Sequence, residues 1–255
     1  MIKIDCKKYA DGIIEQVKQT PNKKKLAILT AGDDPASAAY MRGKMKDCER
    51  CNIPVQQIKA ESQEELMSTI KELNIDPDVG GIIVQLPLPK GFGEQTAVHS
   101  INSEKDVDGF KTDSPFMPCT PEGILYIIEN EIGDLAGKQV LLIGKGKLVG
   151  RPLINILINR GCTLTIANSK TKDLTPYLQF RHDVVITAVG KPKLVDLLQV
   201  NADVVVDAGI SRDENGKLCG DCYNFREDEK QMMRVTTVPG GVGLLTRAML
   251  MSHME

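Results

Sequence analysis

The stretch Gly137-Lys-Gln-Val-Leu-Leu-Ile-Gly144-Lys-Gly146-Lys-Leu-Val-Gly150-Arg-Pro152 joins an apolar run to a glycine-rich loop. The run predicts a buried strand, and the periodicity of residues 153–160 predicts a helix directly after the loop. Glycines between a strand and a helix let backbone N–H groups approach a pyrophosphate at the helix N-terminus. The spacing is G-x-G-x-x-x-G instead of the common G-x-G-x-x-G, so it is the placement of the loop that indicates a dinucleotide-binding unit.

The strand that follows, Thr163–Ala167, ends in the polar run Asn168-Ser-Lys170-Thr171. An Asp or Glu at this position would accept a hydrogen bond from the ribose 2′-hydroxyl of NAD. A hydroxyl and a cation stand there instead, and Lys145 in the glycine loop adds a second cation. A cation suits a 2′-phosphate, so the sequence favours NADP over NAD.

Strands and helices also alternate in the N-terminal half. Apolar runs and helical periodicity predict strands at 25–30, 55–59 and 80–89 and helices at 37–51 and 62–73. A further helix is predicted from Ile2 to Val17, with Asp5 as its N-cap. This alternation is typical of an α/β fold with a parallel sheet and right-handed crossovers. The 255 residues suffice for one large or two modest domains of this class.

Five polar residues near the ends of these strands are candidates for chemistry. Tyr40 and Lys44 are four residues apart, so a helix places the phenol and the amine on one face. Gln85 ends the third strand before two prolines, and such folds bind ligands at the carboxyl ends of parallel strands. Asp106 and Asp108, within Lys105–Phe110, place two carboxylates before a glycine, and a carboxylate fixed there can accept bonds from a heterocycle with adjacent N–H donors. The ordinary alternatives are a solvated helix face, a stiff loop and an Asx turn.

The composition disfavours several classes of function. Basic and acidic residues nearly balance, 32 against 34, which argues against nucleic acid or a membrane surface as the main partner. No apolar run approaches the roughly 20 residues needed to span a bilayer, and the N-terminus has no signal-peptide hydrophobic region. The sequence therefore indicates a soluble, cytoplasmic protein.

The seven cysteines are scattered, as expected for reduced thiols in a cytosolic chain. Cys48/Cys51 and Cys219/Cys222 form two CxxC pairs, which together could bind zinc through four thiolates. The first pair lies in a predicted helix and the two pairs are far apart in sequence, so no metal site is predicted.

Six motifs occur in an order that resembles one known family. They are Tyr40-x-x-x-Lys44, GIIVQLPLP (81–89), KDVDGF (105–110), PCTPEGI (118–124), the glycine loop ending in VGRP (149–152), and TVPGGVG (237–243). Together they span nearly the whole chain. The pattern resembles the bifunctional methylenetetrahydrofolate dehydrogenase/methenyltetrahydrofolate cyclohydrolase (FolD) family.

That resemblance implies two α/β domains around a cleft, the second a Rossmann-type dinucleotide-binding domain, and a homodimer formed through the nucleotide domain. Residues 1–117, with a C-terminal helix at 244–255, would form the folate-binding catalytic domain, and residues 118–243 the NADP-binding domain. The implied enzyme oxidises 5,10-methylenetetrahydrofolate with NADP and hydrolyses the methenyl product to 10-formyltetrahydrofolate. This activity belongs to one-carbon metabolism and purine biosynthesis.

The resemblance also implies roles for individual residues. Lys44 would be the essential amine of the folate site, with Tyr40 positioning the substrate. Gln85 would hydrogen-bond Lys44, and Asp108 would hold the pterin ring. The folate-binding residues would also include Ser37, Pro239 and Gly240. The expected NADP-binding residues are Gly144, Lys145, Gly146, Ser169, Lys170, Gly190 and Ile210.

The two reactions need different help. Amine nitrogens stabilise the cation that develops as hydride leaves the methylene carbon, so positioning alone serves the oxidation. Hydrolysis of the methenyl cation needs an activated water. A lysine whose pKa is lowered by burial beside a neutral amide can act on that water. We therefore expect Lys44 to polarise or deprotonate it.

Three positions depart from the family pattern. Lys145-Gly146 stands where a Ser, often after Arg, is usual; Asn168 replaces a His; and Leu244-Leu245 replaces Pro-Met. The alternatives are a dehydrogenase with little cyclohydrolase activity and a non-catalytic folate- or nucleotide-binding regulator. A regulator predicts loss of Lys44 or Asp108, and both are present. On fold alone, a shikimate-type dehydrogenase would also fit.

Overall fold

The computed structural model describes residues 1–32, 35–227 and 232–255, and the side chains of 35–39 lie outside the description. The strands are β1 (Ile2–Lys3), β2 (Lys25–Thr30), β3 (Val55–Lys59), β4 (Val79–Val84), β5 (Gln139–Ile143), β6 (Thr163–Ala167), β7 (His182–Thr187), β8 (Val195–Asp196), β9 (Ala202–Asp207), β10 (Ser211–Arg212), β11 (Leu218–Cys219), β12 (Cys222–Tyr223) and β13 (Arg234–Val235). The α-helices are α1 (Cys6–Gln19), α2 (Pro35–Arg50), α3 (Gln63–Ile75), α4 (Glu94–His99), α5 (Cys119–Ile132), α6 (Gly150–Asn159), α7 (Thr175–Gln179) and α8 (Val242–Ser252).

The chain divides into two compact units. The three-stranded unit comprises Asp11–Cys119 and Arg247–Glu255, and the six-stranded unit comprises Met1–Ala10 and Thr120–Thr246. The structure groups residues 1–10 with the six-stranded unit, whereas the sequence placed them in the first domain. The reason is that β1 pairs with β13, a partner more than two hundred residues away. The functional division at residue 117 stays a prediction.

The six-stranded unit contains a parallel sheet in the order β1-β13-β9-β7-β5-β6. Its central strands are apolar on both faces, and Val140 to Leu142 and Val204 to Val206 are fully buried. Such continuous apolar runs are typical of a parallel sheet covered on both sides. Gly161 has a positive φ of 73° just after α6, the conformation of a left-handed helix cap.

The three-stranded unit contains a parallel sheet in the order β3-β2-β4. A core of Leu, Ile, Val and Ala side chains packs on it, with Leu66, Ile70 and Leu73 contributed by α3. The side chain of Ser62 accepts a bond from the N–H of Glu65 at 3.1 Å and so caps α3. Together the two units confirm the predicted α/β class.

The N-terminal segment differs from its prediction. Residues 2 and 3 form β1, and α1 begins at Cys6. Asp5 caps that helix as predicted, because its carboxylate accepts the N–H of Lys8 at 3.0 Å. The short strand arises from its pairing with β13, which has no signature in local periodicity.

All seven cysteines are free thiols. Burial raises the pKa of Cys48 to about 12 and that of Cys51 to about 11, so both stay protonated at neutral pH. Within residues 1–32, 35–227 and 232–255, no group of three or more His, Cys, Asp or Glu is arranged to hold a metal ion. None of the helices described in the structure has the length and apolar character to cross a membrane.

Candidate active site

Helix α2 carries Tyr40 and Lys44 one turn apart, and Lys44 is only 4% exposed. Its Nζ donates a hydrogen bond of 3.1 Å to Oε1 of Gln85 and lies 5.2 Å from the centre of the Tyr40 ring. The hydrogen bond between Lys44 and Gln85, which the family resemblance implies, is therefore present. The amine is held between a neutral amide oxygen and an aromatic face.

Gln85 directly follows β4, and its backbone N–H donates to the carbonyl of Leu29 on β2 at 2.8 Å. Its side-chain Nε2 donates to the carbonyl of Leu86 at 2.9 Å. Because the amide nitrogen is engaged there, the amide oxygen is the end that faces Lys44. The backbone bond to Leu29 extends the sheet pairing past β4. It thereby fixes Gln85, the hydrogen-bond partner of Lys44.

The two carboxylates of the KDVDGF motif have separate roles. Asp106 is 1% exposed, and its carboxylate accepts the N–H of Lys111 at 2.8 Å. Asp106 also forms a parallel bridge with Ile82 of β4. The turn interpretation therefore applies to Asp106, whereas Asp108 is left for the site.

Burial dominates the electrostatics of Asp108 and Tyr40. Desolvation raises the pKa of the Asp108 carboxyl, Lys44 opposes that shift, and Asp106 adds to it. Desolvation also raises the pKa of the Tyr40 phenol, with Asp108 the next contributor. Tyr40, Lys44 and Asp108 are thus electrostatically coupled members of one cluster.

The three glycines of the glycine loop differ in what a side chain would contact at each position. A Cβ on Gly144 would lie 2.4 Å from the carbonyl oxygen of Ala188, and a Cβ on Gly150 would lie 2.3 Å from that of Gly144. Gly144 also has a positive φ of 109°. A Cβ on Gly146 would meet nothing within 4 Å. Gly144 and Gly150 therefore serve packing, whereas the backbone at Gly146 borders open space.

A cavity of about 490 Å³ lies at the carboxyl ends of β5, β6 and β7. The predicted residues that line it are Gly144, Lys145, Gly146 and Ser169. Gly190 lies between two other lining residues, Val189 and Lys191. A Cβ on Gly190 would be 3.5 Å from the carbonyl oxygen of Ile210, which is 62% exposed.

An adjoining cavity of about 520 Å³ shares Asn168 and Thr171 with the first. Lys170 lines this second cavity together with Lys172 and Tyr177. Sequence reasoning did not single out three residues that line these cavities, namely Thr171, Lys172 and Lys191. Their position in the short loops after β6 and β7 could have indicated them, because such sheets bind ligands at this edge.

The residues around both cavities fit a dinucleotide. Glycine backbone, the hydroxyls of Ser169 and Thr171 and the amines of Lys145 and Lys191 supply donors and positive charge for phosphate oxygens. At the second cavity, the Asp173 carboxylate already accepts the N–H of Thr175 at 2.9 Å.

The predicted substrate residues Pro239 and Gly240 form an exposed turn that follows β13, and Gly240 has a positive φ of 93°. The Thr237 hydroxyl donates to the carbonyl of Pro239 at 3.3 Å. The side chain of Ser37 lies outside the described part of the chain.

Comparison with known families decides the assignment. Residues 4–108 match "Tetrahydrofolate dehydrogenase/cyclohydrolase, catalytic domain", and residues 118–255 match the NAD(P)-binding domain of the same family. The chain belongs to the tetrahydrofolate dehydrogenase/cyclohydrolase family. This confirms the family predicted from the six motifs.

Relatives within this family cover most of the chain. The bifunctional protein FolD of Dechloromonas aromatica is 40% identical over 254 residues, which is 94% of this chain and 88% of the relative. The FolD protein of Bacillus subtilis is 38% identical over 250 residues, covering 93% and 88%.

Solved structures agree with the assignment. The bifunctional enzyme FolD from Campylobacter jejuni has a TM-score of 0.91 at 38% identity and covers 100% of this chain and 97% of its own. The Trypanosoma brucei enzyme, in complex with NADP cofactor and an inhibitor, has a TM-score of 0.87 at 25% identity, with coverages of 99% and 95%.

In this family member, α8 braces the helix that carries the amine. Nε of Arg247 lies 2.8 Å from the Asp47 carboxylate, which is 9% exposed. The Arg247 guanidinium occupies the space that a Cβ on Gly43 would need, at 2.0 Å from its Nη1. Gly43 lies one residue before Lys44. The Arg247–Asp47 ion pair and the close packing of Arg247 on Gly43 therefore hold α2 in place next to Lys44.

The C-terminal end of α8 also contacts the motif that contains Asp108. The His253 ring stacks on Phe116, with ring centres 4.6 Å apart, and its Nδ1 lies 2.7 Å from the carbonyl oxygen of Val107. His253 contributes a lowering effect on the pKa of Asp108. His253, which directly follows α8, thus contacts the segment that carries Asp108.

Proposed function

We propose that Lys44, Tyr40, Gln85 and Asp108 form the folate-side centre of this enzyme. As a family member, the chain is a bifunctional methylenetetrahydrofolate dehydrogenase and methenyltetrahydrofolate cyclohydrolase. It oxidises 5,10-methylenetetrahydrofolate to the methenyl form with NADP and hydrolyses that product to 10-formyltetrahydrofolate. The observation that carries the residue assignment is the buried Lys44 amine bonded to Gln85.

For hydrolysis, Lys44 polarises or deprotonates the attacking water. Gln85 accepts one hydrogen bond from the Lys44 amine. The other N–H groups of that amine are directed to water or substrate. Tyr40, with its pKa raised, remains a neutral phenol that positions the substrate by contact and hydrogen bonding. Asp108 accepts bonds from the N–H donors of the pterin ring.

For oxidation, the residues of the chain act by positioning. Bound NADP supplies the hydride acceptor. Gly144, Lys145, Gly146 and Ser169 hold the dinucleotide, and Gly190 and Ile210 contribute contacts beside the lining residues Val189 and Lys191. Ser37, Pro239 and Gly240 contribute to substrate binding. No acid or base is required, since the flanking nitrogens stabilise the developing cation.

The preference for NADP over NAD rests on charge. Lys170 and Lys172 line the second cavity, and Lys145 lines the first. Amines and the Ser169 hydroxyl suit a phosphate on the ribose 2′-oxygen, whereas an acid at the end of β6 would suit a hydroxyl.

We propose further that the enzyme is a cytoplasmic homodimer. β6 is an edge strand of the six-stranded sheet, and Ile166 on it and Ile158 on α6 are 39% and 57% exposed. An exposed strand edge with apolar side chains favours pairing with a second copy. Seven free thiols suit a reducing compartment.

One assay tests the function. Methylenetetrahydrofolate is supplied with NADP or NAD in parallel, and formation and decay of the methenyl product are followed. We expect formation that is faster with NADP, followed by decay faster than in the absence of enzyme. No turnover with either nucleotide would instead support the binding-only alternative.

A further inference from the structure

Two buried aspartates that the reaction does not use lie beneath the loop after β7. Asp207, the last residue of β9, is 3% exposed, and Asp221 is 0% exposed. Buried carboxylates cost free energy unless hydrogen bonds compensate them. Their contacts therefore indicate what they are for.

Asp221 is bonded to the dinucleotide cavity. One carboxylate oxygen accepts the N–H of Val189 at 2.8 Å, and the other accepts the N–H of Lys191 at 2.7 Å. Val189 and Lys191 both line the cavity of about 490 Å³. The loop between them contains Gly190, whose φ is +77°. A single carboxylate thus ties both flanks of this glycine turn.

Asp207 in turn holds Asp221. Its carboxylate accepts the N–H of Asp221 at 3.1 Å and that of Cys222 at 2.8 Å. It also accepts the Thr187 hydroxyl at 3.0 Å and the N–H of Gly209 at 2.9 Å. Asp207 therefore links β7, β9 and the segment that carries Asp221.

Two glycines make room for this arrangement. A Cβ on Gly209 would lie 2.2 Å from Cγ of Asp221, and a Cβ on Gly220 would lie 2.1 Å from Oδ2 of Asp207. Each carboxylate is therefore packed against a backbone that carries no side chain. Such close packing leaves little freedom for either group to move away from its donors.

We infer that Asp221 is a positioning residue for the dinucleotide, because it sets the conformation of the Val189–Lys191 loop through its bonds to both of those N–H groups. The inference rests on the proposed function, since it concerns the same NADP site. Asp221 itself needs no contact with the nucleotide. Its effect is transmitted through the backbone that lines the cavity.

The test is Asp221→Asn. An amide keeps one acceptor but turns an NH₂ group towards a backbone N–H, so one of the two bonds is lost and a buried donor is left unpaired. We expect the dissociation constant of NADPH, measured by fluorescence titration, and the KM for NADP to rise about tenfold or more, with kcat within about twofold. Cyclohydrolase activity on methenyltetrahydrofolate should stay unchanged, because that step uses the folate-side residues.

A control away from the cavity is Asp213→Asn. Asp213 accepts two backbone N–H groups at its Oδ1 oxygen, those of Asn215 at 2.9 Å and Lys217 at 2.8 Å, in the turn between β10 and β11. Neither donor lines the cavity. This variant should bind NADPH as the wild-type enzyme does.

Amide hydrogen exchange on the nucleotide-free protein gives a second readout that does not depend on activity. The amides of Val189 and Lys191 should be protected in the wild-type enzyme and should exchange faster in Asp221→Asn. Unprotected wild-type amides would overturn the inference even if the variant failed to fold. If a folded Asp221→Asn enzyme bound NADPH as tightly as the wild type does, only this inference would be overturned. If the wild-type enzyme did not bind NADPH, the proposed function would be overturned as well.

Discussion

At the scale of single residues, hydrogen bonding and charge coupling distinguish the two carboxylates of the KDVDGF motif. Asp106 and Asp108 are two apart in sequence, yet Asp106 satisfies a backbone N–H while Asp108 is coupled to Lys44 and Tyr40. The sequence could place both carboxylates in one turn. Only the family resemblance singled out Asp108; the residue pattern itself could not separate the two, because their difference arises from neighbours on β4 and α2.

The raised pKa of Asp108 has a consequence for stability. Because the folded state disfavours the ionised carboxyl, the destabilising contribution is fully present above the folded pKa and is relieved as the pH falls towards the ordinary value of 3.8. Asp108→Asn should therefore be more stable than the wild type at neutral pH, with a difference that shrinks on acidification. Chemical denaturation at several pH values measures this. A difference that grew on acidification would contradict the assigned cause.

Lys170 provides a residue-scale test of nucleotide preference. Lys170→Asp should raise the KM for NADP about tenfold or more and leave the KM for NAD less affected, since a bond to a charged group contributes about 1.5–3 kcal/mol. Lys217→Asp, in the exposed turn between β10 and β11, is the control. Equal effects of Lys170→Asp on both nucleotides would show that the 2′-phosphate is bound elsewhere.

At the scale of secondary-structure elements, the sequence correctly predicted the features that depend on neighbouring residues. The strands β2 and β5, the glycine loop and the caps at Asp5 and Ser62 follow from apolar runs, glycine placement and side-chain hydrogen bonding. What could not be predicted depends on distant partners. The pairing of β1 with β13, the Arg247–Asp47 ion pair and the bonds from Asp221 all join segments that are remote in sequence.

The brace between α8 and α2 is tested with two glycine substitutions. Gly43→Ala would displace the Arg247 guanidinium from Asp47 and should lower the free energy of unfolding by about 1–3 kcal/mol. Gly12→Ala, in α1 with nothing within 4 Å of the new Cβ, should raise it by up to about 1 kcal/mol. Thermal or chemical denaturation distinguishes them. A Gly43→Ala enzyme as stable as Gly12→Ala would show that the brace contributes little.

At the scale of the whole molecule, the residues proposed for the two catalytic steps lie in two compact units. The amine cluster lies in the three-stranded unit, and the dinucleotide cavities lie in the six-stranded unit. This division allows substitutions on one side to be checked against the activity of the other side. The family resemblance supplied that expectation from motifs, and the structure supplies the contacts that make each side testable.

The proposed homodimer is also a property of the whole molecule. Ile166→Lys, on the edge strand β6, should shift the sedimentation coefficient from dimer to monomer, because a charged side chain on an edge disfavours strand pairing. Ile75→Lys, at a position 83% exposed in the three-stranded unit, is the control. A monomeric wild-type enzyme, or an unaffected Ile166→Lys dimer, would contradict the assignment of this edge.

The most direct test of the catalytic assignment is hydrolysis of methenyltetrahydrofolate by Lys44→Met, with Lys46→Met as the matched control on the same helix. Lys46 is exposed, whereas Lys44 is buried against Gln85. Loss of a group that activates water should lower the rate at least about 100-fold in Lys44→Met, and Lys46→Met should remain near the wild-type rate. Full cyclohydrolase activity in a folded Lys44→Met enzyme would contradict the central role given to this amine.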